Sequence, residues 1–156
     1  MPAHAADTLR SVNLESLQST FAVNTFGPLL LTQALLDNVV LPSASASTEP
    51  RHIAVVSSRV GSMADNSSGG NYAYRASKAA VNSIFKNLAV DLKDKNVTVS
   101  MLHPGFVRTN LDPDVDRNEG VVEPEEAATK LWGLLKGKTV EETGRFWHRE
   151  GMELPW

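Results

Sequence analysis

An α/β fold, a parallel sheet with helices packed against it, is what these 156 residues predict. Three observations point there. Two long segments, 14–37 and 72–94, repeat apolar side chains at helical spacing. Two short runs, "HIAVVSS" and "NVTVSML", are apolar and β-branched, the pattern of strands buried on both faces. The segments alternate helix, strand, helix, strand, and such alternation in one sheet calls for parallel strands joined by crossovers.

Taken in order, the helix at 14–37 presents Leu14, Leu17, Phe21, Phe26, Leu29, Leu30, Leu31 and Leu35 as a broad apolar face, with Asn13 as its N-cap. Pro28 lies mid-helix and should bend it, and Gly27 beside it permits close packing. "LPSASASTEP" (41–50) is a small-residue loop bounded by prolines. A strand follows at 52–58. The second helix, 72–94, carries Ala80, Val81, Ile84, Phe85, Leu88 and Val90 on its apolar side. The next strand is 96–102, and the loop 104–122 is long enough to be functional rather than a connector. Pro124 opens a helix at 124–136 from the favoured first-turn position. A last strand, 145–148, precedes the tail. The reading is one domain, residues 1–156, with about three parallel strands.

Composition narrows the function. Hydrophobic residues make up 42% and charged residues 21%, so the chain is globular. A net charge of −3 argues against nucleic-acid binding, which calls for a basic patch. With no cysteine there is no disulfide, thiolate nucleophile or zinc–thiolate site. No apolar run reaches the roughly 20 residues that span a bilayer, and "MPAHAADTLR" lacks the apolar core of a signal peptide. The expected place is therefore the cytoplasm, away from membranes.

The chemistry sits in "NYAYRASKAAVN" (71–82). Tyr74 and Lys78, four apart, share one helix face. A phenol titrates near ~10 when unperturbed; a nearby ammonium favours the phenolate and lowers that value, making Tyr74 a usable general acid or base. Ser57 and Ser58 end the preceding strand, where open α/β sheets bind ligands, and a serine hydroxyl there donates to the substrate oxygen that Tyr74 protonates. Asn24 is a polar residue in a mostly apolar helix, and its amide needs partners. Pro104 and Gly105, at the end of the second strand, let the backbone approach a ligand.

Together "FAVNTFGPLLLTQALL", "HIAVVSSRVGSM", "YAYRASKAAVNSIFKNLAVDL" and "NVTVSMLHPGFVRTNL" resemble, in order and spacing, the short-chain dehydrogenase/reductase family. The run through residues 57–80 and the ending "GRFWHREGMELPW" are similar to its C-factor and sniffer-like carbonyl reductase branch. The resemblance implies the C-terminal half of a Rossmann-type doubly wound fold. It implies Tyr74 as acid/base, Lys78 as the lysine that tunes it and holds the nicotinamide ribose, Ser58 as the substrate-orienting serine and Asn24 as the holder of a relay water. Pro104, Gly105, Val107 and Thr109 match positions beside the nicotinamide.

What the family uses to grip the rest of its dinucleotide is not in these residues. None of the ten glycines falls into G-x-x-x-G-x-G or G-x-G-x-x-G, so the chain matches the catalytic half alone. "GLLKGKT" (133–139) is a residue too short for a phosphate loop and closes a helix instead of opening one. Asp112, Asp114, Asp116 and Glu123 have calcium-loop spacing, but Arg117 stands where that loop needs glycine. They read as a solvated acidic loop, and no metal is expected.

The sequence thus leads to an expectation of acid/base chemistry on a small carbonyl compound, an isomerisation, dehydration or cyclisation, with no cofactor for this chain alone. The alternative is an NAD(P)H-dependent short-chain carbonyl reductase whose N-terminal half is missing from this chain, with NAD(P)H as cofactor once that half is supplied. A non-catalytic interaction subunit is the third reading. The strand at 52–58 would be left as a sheet edge, and the apolar helix faces call for cover. The expected assembly is a homodimer or heterodimer through helices 14–37 and 72–94, or through that edge.

Overall fold

The computed structural model describes residues 7–38 and 51–156; the predicted loop at 41–50 lies outside the described residues. The first helix comes in two parts, α1 (Leu14–Phe21) and α2 (Gly27–Asn38), joined by a π-helical turn at Ala22–Phe26. Asn13 caps α1 through a reciprocal pair: its side chain accepts from the Ser16 N–H at 2.9 Å, and the Ser16 hydroxyl accepts from the Asn13 N–H at 3.2 Å. The expected consequence of Pro28 takes the form of that π turn. Pro28 has no N–H to close an α-helical bond onto Asn24. The turn immediately before it widens, and the Gly27 N–H reaches back to Ala22.

Strands β1 (Arg51–Val56), β2 (Val97–His103) and β3 (Arg145–His148) form one parallel sheet in the order β1-β2-β3. The register sets Val55 beside Met101 and Met101 beside Phe146. Helix α3 (Tyr72–Asp91) lies across this face. Its buried ladder Val81, Phe85 and Ala89 packs on Val97, Val99, Met101 and Phe146 to form the core. Val90, expected on the apolar side, is exposed. Spacing of four carries the buried stripe from Val81 through Phe85 to Ala89, and the next residue is turned about 100° away. Helix α4 (Pro124–Lys136) and β3 match their expected bounds.

The N-terminus of α3 is fixed from a distance. Asn71 sits in the left-handed region (φ 50°) and makes no side-chain cap. Asp7 takes that place: its carboxylate accepts from the Ala73 N–H at 2.8 Å and its carbonyl from the Asn71 N–H at 2.9 Å.

The apolar face read at 14–37 is largely uncovered. On α2 only Thr32 is buried, while Leu29, Leu30, Leu31 and Leu35 are exposed. Among the described residues β1 has a strand neighbour on one side only, so no sheet extends beneath the outer part of α2. Between them runs an apolar groove of about 830 Å³, bordered by Val23, Pro28, Leu31, Leu35, Ala54 and Val56. No helix among the described residues is long and apolar enough to cross a membrane.

Candidate active site

Three elements meet at the C-terminal end of β1. The strand ends at Val56; Ser57 follows, its N–H donating to Leu102 O at 2.7 Å so that the pairing to β2 continues one step further. The Ser57 hydroxyl is buried and meets no protein partner. Ser58 is half-buried and close enough to the Tyr74 phenol to draw its pKa downward against the effect of burial. Of the two serines, the structure brings Ser58 to the tyrosine.

The segment after Ser58 turns through a short 3-10 helix, Arg59–Gly61, and presses on α3. A Cβ on Gly61 would lie 2.8 Å from the Lys78 backbone carbon and Cβ. Only glycine allows this approach, and it sets the distance from Ser58 to the helix carrying Tyr74 and Lys78. The same segment is braced by the Arg59–Asp65 ion pair and by Arg75, which donates to the carbonyls of Val60 and Gly69.

Lys78 and Tyr74 do lie on one face, with the ammonium 5.7 Å from the phenol ring centre. The ammonium donates to the Val56 carbonyl at 3.0 Å. The expected lowering of the Tyr74 pKa by Lys78 is not what the geometry produces. Burial holds the phenol above its ordinary value, and Ser58 works the other way without cancelling it. Burial also lowers the Lys78 pKa. The physical reason is burial: helical spacing places the two side chains on one face, but taking the phenol out of water is the largest influence on it, and the ammonium is directed at a strand-end carbonyl.

Asn24 lies in the π turn, and its amide donates to the Ser77 hydroxyl at 3.1 Å; that hydroxyl donates in turn to the Tyr74 carbonyl at 2.8 Å. Neighbouring Thr25, buried, donates to the Ser77 carbonyl at 2.9 Å. Two adjacent residues of the π turn therefore grip one residue of α3, between Tyr74 and Lys78 in sequence. Sequence reasoning singled out Asn24 but missed Thr25 and Ser77. A short polar residue inside a buried helical stripe was the available signal.

After β2 the chain enters the loop with Pro104 and Gly105, the latter at φ 72°. Val107 forms an isolated parallel bridge with Val122, tying the two ends of the loop together. Thr109 is exposed, its hydroxyl accepting from the Leu111 N–H at 3.2 Å. Three of the four carboxylates with calcium-loop spacing pair with arginines, Asp116 and Glu123 with Arg108 and Asp114 with Arg117, while Asp112 accepts from the Asp114 N–H at 2.9 Å. Among the described residues no group of three or more His, Asp or Glu side chains is placed to hold a metal ion. Lys138 of the phosphate-loop look-alike pairs with Glu142 at 2.7 Å and stacks on Trp147.

A parallel α/β sheet here brings a tyrosine, a serine and a lysine together at one strand tip, the end of the sheet at which open α/β folds bind ligands. The short chain dehydrogenase family profile matches residues 3–120. The chain belongs to the short-chain dehydrogenase/reductase family. It is 38% identical over 150 residues to the 1-hydroxy-2-glutathionyl-2-methyl-3-butene dehydrogenase of Rhodococcus sp. strain AD45, covering 96% of this chain and 63% of that protein. It is 33% identical to the C-signal of Myxococcus xanthus, covering 95% of this chain and 83% of that protein. Among solved structures it is similar to the carbonyl reductase Sniffer of D. melanogaster, with a TM-score of 0.87, 28% identity and coverage of 98% of this chain and 62% of that one. An NADPH-bound carbonyl reductase from chicken fatty liver gives a TM-score of 0.82 at 26% identity, over 97% of this chain and 61% of that one. The chain thus spans little more than three-fifths of the Rhodococcus dehydrogenase and of both carbonyl reductases.

Proposed function

We propose that this chain is the catalytic half of an NAD(P)H-dependent short-chain carbonyl reductase. The observation that carries the reading is the meeting of Tyr74, Ser58 and Lys78 at the tip of β1, in a chain similar to carbonyl reductases over nearly its whole length. That similarity favours the redox reading over chemistry without a cofactor.

The residues present suit one end of a dinucleotide. The positive-φ Gly105, the loop bearing Val107 and Thr109, and the Lys78 ammonium at the tip of β1 would hold the nicotinamide and its ribose. The pyrophosphate and adenosine need a glycine-rich turn that these residues do not contain. Bound there, the dinucleotide supplies a hydride. Ser58 orients the substrate carbonyl by donating to its oxygen. Tyr74 delivers the proton that converts this oxygen into a hydroxyl. A phenol kept protonated by burial suits the reductive direction, in which it must give up a proton rather than take one. Asn24, through Ser77, fixes the turn of α3 that carries Tyr74 and Lys78.

The partner implied by this reading is a polypeptide segment covering the open side of β1 and the apolar groove beside α2. A homodimer through helices 14–37 and 72–94 is compatible with it.

The test is to express the chain with the coding sequence upstream of Met1 included and to follow NADPH absorbance with a panel of aldehydes. The reading expects consumption that Tyr74→Phe lowers by roughly 10²–10⁴-fold. Consumption indifferent to Tyr74→Phe overturns it. So does solvent-proton exchange into a ketone, dependent on Tyr74, by the 156-residue chain with no dinucleotide present.

A further inference from the structure

Arg149 stands just beyond β3 and is 7% exposed. Its guanidinium turns inward onto backbone. One terminal nitrogen donates to the Pro104 carbonyl at 2.6 Å and to the Phe106 carbonyl at 3.1 Å; the other donates to the Gly120 carbonyl at 2.5 Å. Its Nε pairs with the Glu150 carboxylate at 3.1 Å. A single side chain thus spans the first and last turns of the 104–122 loop. The space a Cβ would need at Gly105 is filled by this guanidinium, so a larger residue there would have to displace Arg149, and the φ of 72° itself favours glycine.

A planar guanidinium with several donors in fixed directions suits this task, and an ammonium cannot reproduce it. The loop has little else of that kind. Its two ends are tied by the Arg108 N–H to the Val122 carbonyl at 2.9 Å and the Val122 N–H to the Phe106 carbonyl at 3.1 Å, while the N–H groups of Val115, Arg117 and Asn118 close only local turns within it. Its ion pairs through Arg108 are exposed, the kind that contributes little to stability.

We propose that Arg149 is a positioning residue that sets the shape of the 104–122 loop and, through it, the placement of Val107 and Thr109 against the nicotinamide. The second clause rests on the reductase reading; the first does not.

The test uses two measurements on the 156-residue chain. Amide hydrogen exchange is compared in wild type, Arg149→Met and Arg149→Lys. In Arg149→Met the Arg108 and Val122 amides should exchange about tenfold faster or more, while Val99 and Met101 of β2 stay protected. Arg149→Lys should fall between, because one ammonium can serve only part of the three-carbonyl cradle. If Arg149→Met does not fold, Arg149→Lys carries the comparison. Unchanged exchange at Arg108 and Val122 in a folded variant overturns the proposal. The second measurement titrates nicotinamide mononucleotide, which lacks the adenosine half, and follows the amide resonances of Lys78, Val107 and Thr109. Wild type should show saturable shifts that weaken in Arg149→Met and are partly rescued in Arg149→Lys. Shifts equal in all three overturn the link to the nicotinamide. Their absence in wild type counts against the reductase reading, and the exchange data then decide the loop's dependence on Arg149 by themselves.

Discussion

The Lys78 ammonium donates to the backbone carbonyl of Val56 at 3.0 Å, and its distance from the Tyr74 ring centre is 5.7 Å. The helix and the strand tip compete for one cation, and the strand tip holds it. Burial is the largest influence on the phenol, and Tyr74 should titrate above the ordinary tyrosine value. Ser58→Ala should raise it further, since the serine is the opposing influence. Ring-carbon NMR titration of labelled tyrosine separates Tyr74 from Tyr72. A Tyr74 midpoint below that of a free phenol contradicts the arrangement. The linkage sign follows: a group whose folded pKa is raised loses its stabilising contribution as pH climbs through the unfolded value near ~10 toward the folded one.

Asn24 and Ser77 should behave as a coupled pair. Each neutral hydrogen bond of this kind is worth about 0.5–1.5 kcal/mol net. Asn24→Ala and Ser77→Ala should each destabilise the chain to that extent. The double variant should cost less than the sum, because the Asn24 amide bonds the very hydroxyl that Ser77→Ala removes. Strict additivity in urea denaturation would show that the two side chains do not meet in solution.

The order of helices and strands was legible because each element carries its own local signal: Pro124 at the start of α4, β-branched runs in β1 and β2, and helical spacing through α3. The position of Tyr74, Lys78 and Ser58 near one strand tip was legible for the same reason, since a strand end and a helix start fix it. What was not legible is non-local. Nothing in "FWHREG" marks Arg149 as buried, and only the folded chain brings it to three carbonyls of another loop. The direction of the Lys78 ammonium depends on where β1 ends. The exposure of Leu30, Leu31 and Leu35 depends on where the sheet ends, because the residues are apolar whether or not a strand lies beneath them.

Gly61→Ala tests how the serine loop meets the helix that carries Tyr74 and Lys78. The added Cβ would lie 2.8 Å from both backbone and Cβ of Lys78, neither of which is a flexible side-chain end. Overpacking of this kind costs about 1–3 kcal/mol, and relief requires the loop to move away from α3. The variant should therefore lose stability in thermal denaturation and also draw Ser58 away from Tyr74, seen as a further rise in the Tyr74 titration. A variant as stable as wild type, with an unmoved tyrosine, would place the loop farther from α3.

His103 should make the fold acid-sensitive. It ends β2, its imidazole packed against that of His148 at a ring separation of 5.3 Å. Burial is the largest influence on it; His148, Arg59 and Arg149 add repulsion, Asp65 opposes weakly, and the pKa falls to about 4. The same causes, burial first, lower His148. For His103 the unfolded chain takes up a proton near pH 6.5 while the folded chain resists until about pH 4. Between those values the unfolded state binds more protons, so stability falls as pH drops through that window and levels off below it. The full span is worth about 3 kcal/mol, read as a declining urea midpoint between the two pH values. In His103→Asn the decline should shrink to what His148 and the carboxylates contribute. If wild type and variant lose stability in parallel across that window, the buried imidazole does not govern it.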